Sequence, residues 1–473
     1  MKLTSQKTDF SKWYLETVKK ADLMSYAPVR GCMTFKPASY ALWEKIKELL
    51  DQRFKATGHE NAYFPMLIPE SLLKKETNHI EGFNPELPWV TEAAGKKLEE
   101  RLAIRPTSET IIGHMYSQWI KSYRDLPLLL NQWCNVIRWE KRTLPFIRTT
   151  EFLWQEGHTA HATKAEAEAE TLAMLEIYQQ IIEQKLAIPC WPGRKTPLEK
   201  FAGACDTYSI ELMLKDGKAL QAATSHFMGT NFAKAFEIKF LDQNNNLEYA
   251  YTTSWGTTTR LIGALIMAHG DDKGLIIPPE IAPTQVIIVP VGPAKSAPHV
   301  HEAAEKLKQE LTAAKILVKT DLSLESAGWK FNEWELRGIP LRIEIGPRDL
   351  EKQQLVLARR DTGEKQTIPS ENSHLIIKKI LSEIQTNLFS LALERQEKAC
   401  HVEVECLADL KKETDFFGWV LGGWCGDNTC EEKIKAETSF TARNIPTNPP
   451  CKKEYCFACG SKSKATVWYA RAY

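Results

Sequence analysis

The stretch Arg148–Thr163, RTTEFLWQEGHTAHAT, places two glutamates, two histidines three apart, a phenylalanine and a tryptophan within sixteen residues. Three chemistries fit such a set. Imidazoles and carboxylates can ligate a metal, exchange protons with a substrate, or line a pocket where aromatic walls and a negative acceptor hold a small cation. A metal site needs His158 and His161 on one face. FLW reads as a strand, and Gly157 marks the place where that strand is expected to turn into the helix that follows. The two imidazoles then point in different directions, which weakens the metal reading and leaves His161 a structural residue.

A second cluster has metal spacing. Cys425 and Cys430 have four residues between them, Cys456 and Cys459 have two, and 25 residues separate the pairs. Two short-spaced cysteine pairs suit a tetrahedral Zn2+, each pair offering two thiolates from one turn. Gly426 and Gly460 follow the first and last of these cysteines, where the backbone must bend sharply. Cys451 competes with Cys456 for a place in the set. Four thiolates close the coordination sphere, so the ion expected here is structural.

The elements that must position these residues can be read in outline. HATKAEAEAETLAMLEIYQQIIEQKL repeats apolar residues at spacings of three and four, putting Leu172, Leu175, Tyr178, Ile182 and Leu186 on one helical face, and Pro189 closes the helix. PLLLNQWCNVIRWE reads as a strand, and FEIKFLD with LEYAYTT across NNN as a hairpin. Strands joined by short turns imply an antiparallel sheet flanked by helices, an α+β arrangement. Three prolines and a glycine in DDKGLIIPPEIAPT break the chain. Beyond it QVIIVPVG, HVHEAAEKLKQELTAA, KILVKTD, PLRIEIGP and QLVLARRD alternate strand and helix as a small α/β domain. A long helix around Ile376–Glu394 leads to the cysteine-bearing region. The expected domains are 1–283, 284–398 and 399–473.

Composition narrows the class. A chain of 473 residues suggests two or three domains. Lys+Arg of 61 against Asp+Glu of 60 leaves a net charge of +1, so any polyanion must be met by a local patch. No run reaches the ~18 apolar residues of a membrane span, and the N-terminus lacks a signal-peptide pattern. An odd count of 11 cysteines without a secretion signal argues against a disulfide framework and for a reducing, cytoplasmic setting.

The segments around the opening stretch carry a resemblance. RLAIRPTSETIIGHMYSQWI, NQWCNVIRWEKRTLPFIRTTEFLWQEGHTAH, FAGACDTYSI, QAATSHFMGTNFAKAFEI and SWGTTTRLIGALIMAHGDDKGLIIPPEIAP are similar, in this order, to blocks of class II aminoacyl-tRNA synthetases. More narrowly the chain resembles the prolyl-tRNA synthetases of the type shared by archaea, eukaryotes and some bacteria. The likeness is dense from Trp13 to Pro283 and continues through GIPLRIEIGPRDL and LARRDTGEK to Tyr473. It implies a class II antiparallel-sheet catalytic domain, an α/β anticodon-binding domain and a small zinc-binding C-terminal α+β domain.

What the resemblance implies for the site is specific. Arg138 bridges the amino acid carboxylate and the α-phosphate of ATP, a task suited to the planar guanidinium fork. Glu140, returning to the same strand face, lies near the adenine amino group, and Arg148 faces the outer phosphates. Phe152 stacks under adenine with Arg260 over it; Gln221 and Thr224 contact ATP and its Mg2+, and Thr258 lies beside them. Thr107 and Glu109 meet the ammonium of proline, while Phe83, Trp154 and Phe201 wall its ring. Glu156, His158 and His226 line the same pocket, with Trp255 and Gly256 at its floor. Such chemistry relies on positioning and electrostatics more than on a nucleophile, with Arg138 and Arg260 as the catalytic pair.

Between His158 and Ser254 there are fewer than about a hundred residues, too few for the editing insertion of the other bacterial type. In the α/β domain Glu344, Arg348 and Asp349 are expected to read a guanine-rich anticodon of tRNA(Pro). Lys330–Lys365 holds eight Lys/Arg against seven Asp/Glu, so no basic stripe marks that surface. By resemblance the segment NAYFPMLIPES builds a homodimer interface, and the carboxylate of Tyr473 approaches the catalytic site. The competing readings are a threonyl- or glycyl-specific relative, or a non-catalytic paralogue, which should lack Arg138 or Arg260.

Overall fold

The computed structural model describes residues 2–77, 87–293, 297–412 and 416–473. Its backbone is an eleven-stranded sheet that runs Cys400–His401, Trp419–Trp424, Ala465–Ala470, Thr441–Pro446, Cys190–Arg194, Asp206–Met213, Ala219–Gly229, Tyr251–Thr258, Glu151–His161, Leu128–Ile137, Glu60–Asn61. All neighbours are antiparallel except the two outermost pairs. The antiparallel α+β expectation holds for the unit built on this sheet. The hairpin Lys239–Leu241 and Leu247–Tyr249 also forms as read.

Helices cover one face. Lys164–Gln184 starts on a capping box, in which Thr163 and Glu166 satisfy each other's backbone N–H groups. Its buried stripe is Ala167, Thr171, Met174, Leu175, Ile177, Tyr178, Ile181 and Ile182. Leu172, expected on that face, is 48% exposed; one residue beyond Thr171, it is turned about 100° out of the stripe. Under this helix and Pro37–Ala56 lies the main core, including Trp13, Trp43, Phe54 and Trp255.

The strand through the opening stretch is longer than its sequence suggests. It runs Glu151–His161, through Gly157 and both histidines, and the helix begins only at Lys164. Pairing on both sides explains this: Gly157 faces Asn131 on one neighbour and Trp255 on the other. Gly157 is needed here for close approach, because a Cβ would lie 2.1 Å from the Trp255 indole. The histidines still diverge, for a different reason: three residues apart on a strand, they emerge from opposite faces.

The second unit is a five-stranded sheet in the order Val318–Thr320, Val286–Pro290, Leu341–Ile345, Gln354–Arg359, Lys365–Pro369. Its first three strands are parallel and the rest antiparallel. Ala297–Ala313 and Ser373–Lys398 pack on it. Three elements add to the sequence reading: the helix Ala327–Leu336, capped by Ser326, the short helix Pro347–Glu351 and the polar edge strand Lys365–Pro369.

The cysteine-bearing region adds its strands to the eleven-stranded sheet. Ile445 pairs with Arg194 and Pro446 with Gly193, so the sheet crosses between the two regions without a break. A Cβ on Gly193 would meet the Ile445 carbonyl oxygen at 2.4 Å. The crossing itself therefore demands glycine.

Candidate active site

Four adjacent strands of the large sheet, from Glu151–His161 to Asp206–Met213, floor a cavity of about 280 Å³ on the face opposite the helices. Of the residues expected in the site, Thr107, Glu109, Arg138, Glu140, Arg148, Phe152, Trp154, Glu156, His158, Phe201, Gln221, Thr224, His226, Trp255, Gly256, Thr258 and Arg260 all line it. Phe83 lies outside the described residues. Trp255 contributes from an unexpected side: its indole rests against Gly157 and packs on Phe54, His59 and Tyr178 in the helical layer. His161 is buried away from the cavity, its Nε2 bonded to Thr159.

One end of the cavity is acidic. The ligating atoms of Glu109, Glu156 and His158 lie within 4.8 Å of one another. Glu156 accepts hydrogen bonds from Ser108 Oγ, from Ser108 N at 3.2 Å and from Gln132 Nε2 at 2.8 Å, and it pairs with His158 Nε2 at 3.0 Å. Burial alone would raise the carboxyl, but the His158, Ser108 and Gln132 contacts outweigh it and hold Glu156 below its ordinary value. For His158 burial opposes the charged ring, yet Glu156 and Glu109 prevail and raise it. The two residues therefore form a buried ion pair, and Glu109, hydrogen-bonded by Thr107 Oγ1, adds a second carboxylate. The oxygens of Glu156 are already engaged by four donor residues, Ser108, Gln132, Cys134 and His158, so this cluster is a poorer metal cage than its residue types suggest. His226 is its neutral counterpart. Burial and the nearby His158 push it down to about 3, while its Nδ1 meets Thr207 Oγ1 at 3.0 Å and its ring packs on Phe201 at 4.8 Å.

Arg138 occupies the middle. It stands just beyond the strand that ends at Ile137, so neither it nor Glu140 is on the strand as expected. Its backbone N–H still reaches Thr150 O at 2.8 Å, which keeps it in line with the ladder, and both side chains reach the same cavity. Nε donates to Pro106 O at 3.0 Å, and the guanidinium lies 5.5 Å from the Phe152 ring and 5.4 Å from that of Trp154. Trp154 is fixed in turn by its Nε1–H on Cys134 Sγ at 3.1 Å.

The other end is cationic. Arg260, first residue of the helix Arg260–His269, donates Nε to Ile147 O and Nη1 to Gln221 O, each at 3.1 Å. Burial, with repulsion from Arg138 and Arg148, brings its ionisation down to about 10, so it remains charged at neutral pH. Arg148 pairs with Glu140 at 3.4 Å on the open side. A carboxylate pair, one half-buried arginine against two aromatic rings, and a second arginine group thus follow one another along a single cleft. That gradient fits a small zwitterion laid head to tail against a polyanion. Sequence reasoning missed Ser108, Gln132 and Cys134, which hold the pocket residues, and Glu199 and Thr207, which line it. Their spacing carries no motif.

The four cysteines converge as expected. Cys425 lies 3.7 Å from Cys430 and 3.9 Å from Cys459, sulfur to sulfur, and all four sulfurs fall within 4.8 Å. A tetrahedral ion with bonds of about 2.3 Å sets its thiolates about 3.8 Å apart. Gly426 and Gly460 take φ values of +92° and +75°, the left-handed bends the loops require. Cys451 is exposed and outside the cluster, which leaves the set Cys425, Cys430, Cys456 and Cys459.

In the five-stranded unit Glu344 is buried and paired with Arg342 at 2.9 Å and with Lys365 at 2.7 Å. Asp349, in the short helix Pro347–Glu351, accepts from Gly346 N at the helix start and from Gln354 Nε2, and Arg348 is exposed. Among the described residues no helix is long and apolar enough to cross a membrane.

Comparison with known proteins gives three family matches. Residues 89–269 match the tRNA synthetase class II core domain (G, H, P, S and T), 285–380 an anticodon binding domain, and 407–473 the C-terminal domain of prolyl-tRNA synthetase. The chain is 62% identical over its full length to a proline-tRNA ligase of Symbiobacterium thermophilum, covering 98% of that protein. It is 52% identical to one from Ruminiclostridium cellulolyticum and 50% to one from Natranaerobius thermophilus, again over 100% of this chain and 98% of each relative.

Proposed function

The chain belongs to the prolyl-tRNA synthetases and has proline-tRNA ligase activity, and from that premise we propose how the cavity runs the reaction. Proline enters with its ammonium toward Thr107 and Glu109, its ring among Trp154, Phe201 and His226, and its carboxylate at Arg138. ATP lies along Glu140, Phe152, Gln221, Thr224, Thr258 and Arg260, with Arg148 at its outer phosphates. A carboxylate oxygen of proline attacks the α-phosphorus, the bond to the β-phosphate breaks, and pyrophosphate leaves. A ribose hydroxyl of tRNA(Pro) then attacks the carbonyl carbon, AMP departs, and the hydroxyl proton is taken up by the leaving phosphate. Arg138 is shared by both substrates and meets charge as it moves from one to the other. Its half-buried place against two aromatic rings, with acid on one side and cation on the other, carries this reading.

The amide of Gln221 and the hydroxyl of Thr224 offer the hard oxygen donors that Mg2+ prefers. When bound, the ion would neutralise part of the phosphate charge. The cysteine cluster is assigned to a structural Zn2+ on the sulfur spacings, which match a closed tetrahedron. Anticodon reading is assigned to Glu344, Arg348 and Asp349, with exposed Arg348 the residue most free to meet a base. A homodimer is supported by the exposed aromatic and apolar side chains of Tyr63, Met66 and Leu67 in the segment assigned to the interface. The setting is cytoplasmic. Between His158 and Ser254 the chain is taken up by one long helix, one short one and strands of the two sheets, which supports the absence of cis editing.

Screening ATP–pyrophosphate exchange with all twenty amino acids tests the substrate. Proline should drive exchange far above threonine and glycine. Exchange led by threonine or glycine would transfer the chain's pocket to a different specificity.

A further inference from the structure

Away from the substrate cavity the sheet buries an ionic triad. Lys195, Glu211 and Arg443 have side-chain exposures of 3%, 0% and 9%. Glu211 Oε2 accepts both Nε and Nη2 of Arg443, at 3.0 and 2.7 Å. Its Oε1 accepts Lys195 Nζ at 2.8 Å and Ser209 Oγ at 2.9 Å, and Lys195 also donates to Arg443 O at 2.6 Å. Lys195 and Glu211 come from the catalytic segment and Arg443 from the C-terminal strand Thr441–Pro446. Buried ion groups of this kind are often replaceable by apolar side chains without loss of stability. Stability is therefore a weak reason for three charges here, and their place in the sheet supplies another.

Glu211 stands at a bulge. The register runs Ile210 to Ala223 and then Glu211 to Gln221, so Ala222 is the extra residue on the neighbouring strand. Bulges re-aim the groups on either side of them. The carbonyl of Ala222 is taken by Thr257 Oγ1 at 2.8 Å, and that of Gln221 by Arg260 Nη1 at 3.1 Å. Arg260 is thus anchored to the residue paired with Glu211. The bracing reaches further: Asn444, next to Arg443, donates to Trp191 O at 2.8 Å, on the strand that pairs with the Glu211 strand. Burial and the neighbours Arg138, Arg148 and Arg443 weaken the charge on Arg260, and Glu211 opposes them.

We propose that Glu211 and Arg443 are positioning residues for the ATP end of the site: they hold the bulged strand pair on which Arg260 is anchored, so that the C-terminal region sets nucleotide affinity. This rests on the assignment of Gln221 and Arg260 to ATP. Neither Glu211 nor Arg443 touches substrate; the proline end rests mainly on the strand Glu151–His161 and on Thr107–Glu109, and the pair Thr207 and His226 that it shares with the bulged strands stands at the other end of them from the bulge.

The experiment is exchange kinetics on the full chain with Glu211→Gln and Arg443→Lys, each checked for native circular dichroism. Glu211→Gln keeps the shape and removes the charge; Arg443→Lys keeps the charge and loses the fork. The KM for ATP should rise on the order of tenfold to a hundredfold, the scale of a displaced positioning group, while the KM for proline stays within about twofold. The double variant should cost less than the product of the two single effects, since both break one interaction. Unchanged ATP kinetics in a folded variant, or equal rises for ATP and proline, overturns the proposal; should Glu211→Gln fail to fold, Arg443→Lys is judged by the same criteria. Arg260→Ala serves as the control: normal ATP kinetics there would remove the ATP-site assignment itself, a failure separate from this one.

Discussion

Burial by itself would strip the proton from His158, and what keeps it there is the ion pair with Glu156, aided by Glu109. The signs follow. His158 is raised above its ordinary value of about 6.5, so its contribution to stability is whole below that pH and lost as pH rises through the higher folded value. Glu156 is lowered, so its contribution is present above its ordinary value and lost as pH falls through the depressed one. The melting temperature of the free protein should therefore decline as pH climbs above neutrality, and His158→Asn should lack that decline. Superimposable pH profiles for the two proteins would refute the pair. At this scale the sequence was informative wherever a side chain belonged to an ordered motif: Arg138, Glu156, His158 and Arg260 all reach the cavity. It was mute on Ser108 and Gln132, whose contacts with Glu156 join separate segments.

At the scale of the element, one strand position decides whether the pocket exists. Glu156 and His158 face the cavity because Gly157 lets Trp255 close against the other side of the strand. Gly157→Ala places a methyl inside the indole and should cost about 1–3 kcal/mol or more by overpacking. Urea unfolding should register that loss, together with weaker proline binding as the two flanking side chains shift; unchanged stability would show that the contact is slack. The strand itself was legible from FLW, but its end was not. A glycine and two histidines look like a turn until strands pair on both sides, and those partners lie far away in sequence. Leu172 shows the same limit for helices, since its spacing to Leu175 is helical while the buried stripe passes beside it.

Over the whole molecule the three regions recognised in the sequence are present, yet the sheet joining the first to the third had no sequence signal. Thr441–Pro446 meets Cys190–Arg194 through backbone pairing, which any side chains permit, with only Gly193 marking the crossing. Because the cysteine cluster supports strands of this shared sheet, metal removal should be felt throughout. The purified chain should carry about one zinc, and chelation or Cys430→Ser should lower the melting temperature of the catalytic unit as well, given that structural zinc contributes folding energy on the order of 10 kcal/mol. A metal-free preparation melting at the same temperature would contradict the assignment. The account stands most directly on Arg138, and proline-dependent ATP–pyrophosphate exchange by Arg138→Ala is its sharpest measurement. Loss of exchange by at least about three orders of magnitude, the scale of removing a group that stabilises transition-state charge, is predicted for a variant with native circular dichroism. Exchange at the parental rate would contradict it.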